Sequence, residues 1–152
     1  MKKTRKVQRL RPTSSIVKNA LFNILGDIEG LTFLDLFAGT GQIGLEAERR
    51  GAKVLFVEKN QKFAEEISRK AQGRVLRGDV LKILGKLREE PEIIFADPPY
   101  SFEQYKELIK RSMSLLAIGG VFILEHDKRQ SFGAHEERRY GDTVLSLWRK
   151  IE

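Results

Sequence analysis

The residues best suited to chemistry form a short acidic and proline-rich segment. Asp97-Pro98-Pro99-Tyr100 directly follows the apolar run at 93–96. The two prolines stiffen this segment and have no N–H to donate, so the Asp97 carboxylate and the Pro98 carbonyl are the acceptors expected to face a ligand. Two such acceptors can hold both N–H bonds of an exocyclic base amine and direct its lone pair outward. Tyr100 offers a ring face on which the base can stack, so residues 97–100 are predicted to be catalytic.

A glycine-rich loop lies earlier in the chain. Gly39, Gly41 and Gly44 match the spacing of the dinucleotide-binding fingerprint, and Glu58 follows about 20 residues on, as a ribose-binding acid should. This pattern predicts an adenosine-containing cofactor. Asp35, at the start of the loop, would sit badly beside a pyrophosphate but well beside a cationic amino-acid group. The loop therefore favours S-adenosylmethionine over NAD.

Four successive predicted strands each have an acid at or near their carboxyl end, namely Asp35, Glu58, Asp79 and Asp97. Ligands of open parallel sheets bind beyond the carboxyl ends of the strands, so these acids are expected to meet at one crevice. The alternative is that each acid only caps the helix that follows it. Four acids beside a glycine loop favour a binding site.

The pattern of apolar residues predicts an α/β fold with a doubly wound sheet. Near-continuous apolar runs, typical of strands buried on both faces, occur at 31–36, 53–57, 74–76, 93–96 and 121–124. Helical patterns occur at 13–25, 43–50, 61–71, 80–88 and 102–116. The segments 136–140 and 143–150, joined by Gly141-Asp142, predict a terminal β-hairpin. Together they indicate a Rossmann-like sheet of seven strands, mostly parallel, with helices on both faces and an antiparallel C-terminal hairpin.

The charge balance of the chain is compatible with two interpretations, a polyanionic partner or a solvated basic tail. The chain has 152 residues, 28 basic and 21 acidic, with a formal net charge of +7 and no cysteine. Residues 1–12 are predicted to form a basic arm and residues 13–152 one catalytic domain. The cationic residues of the arm, expected to bind nucleic acid, are Lys2, Lys3, Arg5, Lys6, Arg9 and Arg11. We expect a cytoplasmic monomer without a membrane partner and without a metal site.

At these motifs the sequence resembles the bacterial 16S ribosomal RNA guanine-N2 methyltransferases. The resemblance extends over nearly the whole chain from Leu10 onward and includes the Asp-Pro-Pro-Tyr motif. That motif also occurs in adenine-N6 methylases. The ribosomal family is favoured by an opening Arg-Pro-Thr segment and a closing Tyr-Gly-Asp-Thr hairpin. The matching segments are 11–13, 17–25, 35–41, 44–47, 95–100 and 139–143.

The resemblance implies S-adenosylmethionine as cofactor, and ribosomal RNA or the small ribosomal subunit as partner. It implies that Asp97 and the loop after it hold the target guanine. The residues implied or predicted to bind the cofactor are Asp35, Phe37, Ala38, Gly39, Thr40, Gly41, Glu58, Lys59, Asp79, Val80 and Asp97. The alternatives are adenine-N6 methylation, an NAD-binding oxidoreductase, and a non-catalytic RNA-binding protein.

Other aromatic and imidazole residues carry weaker signals. His126 and His135 lack metal-ligand spacing and are expected at the surface. Trp148 alternates with Leu147 and Leu145 and is expected in the core. For Phe102 and Tyr105, stacking on RNA and packing in a helix face are both open.

Overall fold

A computed structural model describes residues 14–152, which form a seven-stranded sheet flanked by five helices. The strands are β1 (Thr32–Leu36), β2 (Lys53–Glu58), β3 (Val75–Arg77), β4 (Ile93–Ala96), β5 (Val121–Asp127), β6 (Glu136–Tyr140) and β7 (Thr143–Arg149). The helices are α1 (Ser15–Leu25), α2 (Gln42–Arg49), α3 (Gln61–Lys70), α4 (Val80–Leu84) and α5 (Tyr105–Leu115). The predicted α/β class is confirmed.

The order of strands across the sheet is β3-β2-β1-β4-β5-β7-β6. Strands β1 to β5 run parallel, whereas β7 pairs antiparallel with both β5 and β6. The chain moves outward from β1 to β3 and then returns to place β4 on the other side of β1. The boundary between β1 and β4 is therefore the topological switch point, where open α/β sheets bind their ligands. The short strand β3 and the charged strand β6 form the two edges.

Two hydrophobic cores cover the two faces of the sheet. Helices α1, α2 and α3 contribute Val17, Ile43 and Ile67 to one core. Helices α4 and α5 contribute Leu81 and Leu108 to the other core. Within residues 14–152, no helix is long and apolar enough to cross a membrane.

Side-chain caps set several helix starts. The Ser14 hydroxyl accepts a hydrogen bond from the Val17 amide at 3.2 Å and begins α1. Asn60 begins α3 in the same way, accepting from the Phe63 amide at 3.0 Å. Each cap satisfies a backbone donor that the first helical turn leaves without a partner.

Three elements differ from the sequence-based expectation. Helix α4 ends at Leu84, before the low-propensity Gly85, and not at residue 88. Helix α5 begins at Tyr105, because residues 99–102 form a turn closed by the Phe102 amide donating to the Pro99 carbonyl at 2.9 Å. Strand β5 continues to Asp127, because β7 pairs with it along its full length. The hairpin and the core position of Trp148 are confirmed, and the Trp148 ring stacks on Phe122 at 5.3 Å.

Candidate methyl-transfer site

A large open cavity lies beyond the carboxyl ends of the parallel strands. Its volume is about 1750 Å3, which exceeds the size of a typical single-ligand pocket. The residues around the switch point, Asp35 on β1 and Asp97 after β4, line it together. Ser14 and Ser15, at the start of α1, also line it. The cavity has room for two ligands, such as a cofactor and a base.

The loop between β1 and α2 is held from inside by Asp35. The Asp35 Oδ2 atom accepts a hydrogen bond from the Gly44 amide at 3.0 Å. A Cβ added at Gly44 would lie 2.8 Å from that same oxygen and would also clash with the Phe56 ring. Phe37 has a φ of 58°, unusual for a residue with a side chain, and such backbone strain is common at ligand-binding turns. Glycine at position 44, in the first turn of α2, therefore allows close contact between this helix and strand β1.

The carboxyl ends of β2 and β3 carry Glu58 and Asp79. Glu58 accepts from the Gly39 amide at 2.6 Å with Oε1 and from the Asn60 amide at 2.8 Å with Oε2. Glu58 thereby connects the glycine loop to the strand beside it. Asp79 accepts from the Lys82 amide at 3.1 Å and is the N-cap of α4, so the capping role considered for these acids is present there. Its side chain nevertheless lines the cavity.

Asp35 is in an unusual electrostatic environment. Burial raises the pKa of its carboxyl group from 3.8 to about 8, and the nearby charges of Asp97 and Glu58 act in the same direction. The hydrogen bond from Gly44 opposes this shift only in part. The raised pKa means that the ligand-free site favours a neutral Asp35, whereas a bound cation would favour the charged carboxylate.

The segment after β4, here called the 97–100 loop, forms the opposite wall. All four residues of β4 are buried, and the chain then turns outward until Tyr100 is 65% exposed. Phe102, just beyond the loop, meets the Phe37 ring edge-on at 5.2 Å between ring centres. The two walls of the cavity are therefore joined by an aromatic contact.

The predicted cofactor residues are close together in space. Within residues 14–152, all of the predicted site residues line this cavity except Gly41. Gly41 is buried and precedes α2 in the left-handed region, with a φ of 83°, so it shapes the turn without lining the cavity. Lys59 and Val80 lie beside Glu58 and Asp79, at the same end of the sheet. The arm residues Lys2 to Arg11 lie outside the described residues.

Two cavity residues at the end of β5 were not predicted. Glu125 lines the cavity near the carboxyl end of its strand, as the other four acids do. His126 was expected at the surface, and this expectation was wrong. Its ring is buried and contacts the Asp127 carbonyl at 2.9 Å and the Ser146 hydroxyl at 2.7 Å. Both differences arise because β5 is longer than its apolar run.

A row of aromatic rings runs along one side of the cavity. Phe102 meets Tyr105 at 5.1 Å, and Tyr105 stacks on Phe132 at 4.8 Å. Phe102 and Tyr105 are half-buried and line the cavity. They are thus both packed together and accessible from the site.

The fold of the chain is similar to that of a solved structure. A solved structure of the Escherichia coli protein yhhF, provisionally described as a methyltransferase, superimposes with a TM-score of 0.81 at 27% identity. The match covers 93% of this chain and 89% of that one. Together with the cavity at the switch point, this similarity defines the chain as a Rossmann-like methyltransferase.

The chain belongs to the family described as "Conserved hypothetical protein 95", whose model matches residues 2–149. YlbH of Bacillus subtilis, provisionally named an rRNA methyltransferase, is 34% identical over 163 residues, covering 92% of this chain and 88% of that protein. Ribosomal RNA small subunit methyltransferase D of Haemophilus influenzae is 33% identical over 119 residues, covering 70% of this chain and 60% of that protein. The resemblance to bacterial ribosomal RNA methyltransferases is confirmed.

Proposed function

We propose that the protein transfers the methyl group of S-adenosylmethionine to the N2 amino group of a guanine in 16S ribosomal RNA. The observation that carries this proposal is the position of the 97–100 loop directly across the β1–β4 switch point from Asp35 and the glycine loop. The names of the relatives support ribosomal RNA as the substrate class. We place the reaction in the cytoplasm.

The buried acid at the cavity fits the proposed cofactor. S-Adenosylmethionine carries a sulfonium and an ammonium group. Burial raises the pKa of Asp35, and the negative charges of Asp97 and Glu58 raise it further; those same charges would attract a bound cation, which would in turn favour the charged form of Asp35. Asp35 and the glycine loop would hold the methionine part, Glu58 the ribose, and Asp79 with Val80 the adenine. An NAD-dependent reaction is disfavoured, because a pyrophosphate would meet these carboxylates. When bound, the cofactor supplies a methyl group that is already activated for transfer.

The chain's own contribution is to position the acceptor base. The Asp97 carboxylate and the Pro98 carbonyl would accept the two N–H bonds of the amino group and turn its lone pair toward the methyl group. Tyr100, which is 65% exposed, would stack on the base. During methyl transfer the nitrogen would gain positive charge, which the Asp97 carboxylate would stabilise. Asp97 would also receive the proton that the nitrogen then loses.

The main alternative is adenine-N6 methylation. Asp97, Pro98 and Tyr100 could present the N6 amino group of adenine in the same way, because both exocyclic amines carry two N–H bonds. The resemblance of the Arg-Pro-Thr and Tyr-Gly-Asp-Thr segments to the guanine-N2 methyltransferases favours the guanine reaction.

A direct test is to identify the methylated nucleoside. The protein should be incubated with labelled S-adenosylmethionine and, separately, with undermethylated small subunits, free 16S RNA and DNA. We expect N2-methylguanosine after digestion of the RNA. N6-methyladenine in RNA or DNA would establish the alternative, and the absence of label from every substrate would contradict the proposal.

The charge distribution supports a role for the arm in RNA binding. Six of the 28 basic residues precede Ser14 and no acidic residue does, so residues 14–152 have 22 basic and 21 acidic residues and a net charge of only +1. We propose that Lys2, Lys3, Arg5, Lys6, Arg9 and Arg11 neutralise phosphates without reading sequence.

Deleting residues 2–9 tests this role, because it removes five of those cations. Each lost phosphate contact should lower the slope of log affinity against log salt by about 0.7 for single-stranded RNA. The truncated protein should bind RNA more weakly, bind cofactor normally and methylate the same nucleoside. Equal RNA affinity of both proteins across a salt titration would show that the arm does not bind RNA.

A further inference from the structure

The 97–100 loop leaves the choice between guanine and adenine undecided. The two acceptors of the loop hold the N–H bonds of an exocyclic amine, and both bases have such an amine. The bases differ at the neighbouring ring nitrogen. Guanine N1 carries a hydrogen and is a donor, whereas adenine N1 has a lone pair and is an acceptor. A residue that contacts N1 can therefore distinguish the two bases.

Glu125 occupies the strand position next to Asp97. Strands β4 and β5 are parallel, and their last register pair is Ala96 with Leu124. Asp97 and Glu125 follow at the same level on neighbouring strands, which lie about 4.8 Å apart. Both residues line the same cavity.

The side of the sheet on which Glu125 lies is also known. Residues two apart on a strand point to the same face, and Val121 and Ile123 contribute to the core on the α1 side of the sheet. Glu125 therefore lies on that face. Phe33, two residues before Asp35 on β1, contributes to the same core, so Asp35 and Glu125 share a face of the sheet.

We propose that Glu125 is the residue that selects guanine, by accepting a hydrogen bond from N1–H while Asp97 and Pro98 hold the N2 amine. This proposal rests on the function proposed above. A carboxylate oxygen suits a ring N–H, whereas against adenine it would face a second lone pair. A site that is built around one polar partner strongly rejects a ligand with the opposite polarity.

Asp127 provides a matched control on the same strand. It lies two residues beyond Glu125, on the same face, and also lines the cavity. Its Oδ1 atom, however, accepts from the Arg129 side chain at 2.8 Å and from the Arg129 amide at 2.8 Å. Asp127 is therefore occupied by Arg129, and replacing it with asparagine changes an acid of this strand without touching the proposed N1 contact.

The test compares guanine with 2-aminopurine at the methylated position of the RNA substrate. 2-Aminopurine keeps the amino group at position 2 but has an unprotonated N1. Wild-type protein should prefer guanine by at least about 100-fold in kcat/KM. In Glu125→Gln the amide can donate to N1 of 2-aminopurine, so this preference should fall by about 10- to 100-fold. 2-Aminopurine also lacks the 6-oxo group. This difference affects wild type and Glu125→Gln equally, so it cancels when the preferences of the two proteins are compared.

The proposal would be overturned if Glu125→Gln kept the wild-type preference for guanine over 2-aminopurine. That result would appear as an equal slowing of both substrates or as no slowing of either. Asp127→Asn should leave the preference as it is in wild type, and an equal fall in that variant would also overturn it. The glutamine substitution preserves shape, and unchanged binding of S-adenosylhomocysteine verifies that the variant is folded. Failure of the proposed function would look different, because wild-type protein would then yield methyladenine or no methylated nucleoside.

Discussion

The two walls of the cavity are built in different ways. On the side that we propose binds the cofactor, here called the cofactor wall, Asp35 and Asp79 each accept a hydrogen bond from an amide in the first turn of a helix, and Glu58 accepts one from the glycine loop. On the base side, the 97–100 loop is stiffened by two prolines and ends at the exposed Tyr100. The first wall is organised by backbone hydrogen bonds, and the second by covalent restriction of the loop.

This difference suits two different ligands. A small cofactor would bind to a wall whose backbone is already fixed by hydrogen bonds, which would reduce the ordering cost of binding. A base that belongs to a large RNA must approach from solvent. The wall that receives it therefore needs hydrogen-bond acceptors that are accessible and an aromatic ring with an exposed face. We therefore expect substitutions in the two walls to separate cofactor affinity from methyl transfer.

The largest separation is expected for Asp97→Ala. The carboxylate would stabilise charge that develops on the amino group during transfer, so its loss should raise the barrier by about 3 kcal/mol or more. Methyl transfer should fall by at least about 100-fold, while S-adenosylhomocysteine affinity, measured by calorimetry, stays within a few-fold. Full activity in this variant would contradict the mechanism, and a parallel loss of cofactor affinity would contradict the separation of the two walls.

The next largest effect is expected for Gly44→Ala, on the cofactor wall. The added Cβ would lie 2.8 Å from Asp35 Oδ2 and clash with Phe56, so the free energy of unfolding should fall by about 2 kcal/mol. Cofactor affinity should fall as well. Thermal unfolding with and without S-adenosylhomocysteine measures both effects.

Gly85→Ala is the matched control for this substitution. A Cβ at Gly85 would have its nearest neighbour at 3.5 Å, and its backbone is already helical, with a φ of −70°. This variant should be neutral or stabilised by up to about 1 kcal/mol. Equal stability of the two variants would mean that the contact between Gly44 and Asp35 does not constrain the loop.

A smaller, pH-dependent effect is expected at Asp35. Its pKa of about 8 in the folded protein lies above its ordinary value of 3.8. Its contribution to stability is therefore greatest at low pH and declines as the pH rises toward 8. Cofactor binding should follow the opposite trend, because a cation binds the deprotonated carboxylate.

Affinity for S-adenosylmethionine should therefore rise with pH, by up to about tenfold per unit between about pH 6 and about pH 7.5. In Asp35→Asn this pH dependence should disappear, although binding is weaker throughout. Calorimetry over this range measures the trend, and the same flat profile in both proteins would show that Asp35 does not contact the cation.

The smallest effect is expected for Phe102→Leu, which weakens the contact between the walls. The edge-on pair of Phe102 and Phe37 should contribute about 1 kcal/mol, so kcat/KM for RNA should fall a few-fold. Cofactor affinity should change by less. If cofactor affinity fell by more than kcat/KM, Phe102 would contribute mainly to cofactor binding.

Most strands and helices of the fold could be predicted from the sequence. Buried parallel strands are near-continuous apolar runs, and glycine or proline often marks the boundaries between strands and helices. The acids at the strand ends were also predictable, because each one lies at or near the end of a predicted strand. Glu125 and His126 were missed, because antiparallel pairing with β7 extends β5 beyond its apolar run. The contacts between Glu58 and Gly39, and between Asp35 and Gly44, join residues 19 and 9 positions apart in the chain, and no local pattern encodes their geometry.

The two edges of the sheet have a consequence for the behaviour of the protein at high concentration. An unpaired strand edge can pair with an edge of another molecule and lead to aggregation. Here β3 has only 3 residues, and β6 reads Glu136-Glu137-Arg138-Arg139-Tyr140. One edge is too short to serve as a template, and the other would have to bury both signs of charge. We therefore expect the folded protein to resist edge-to-edge aggregation.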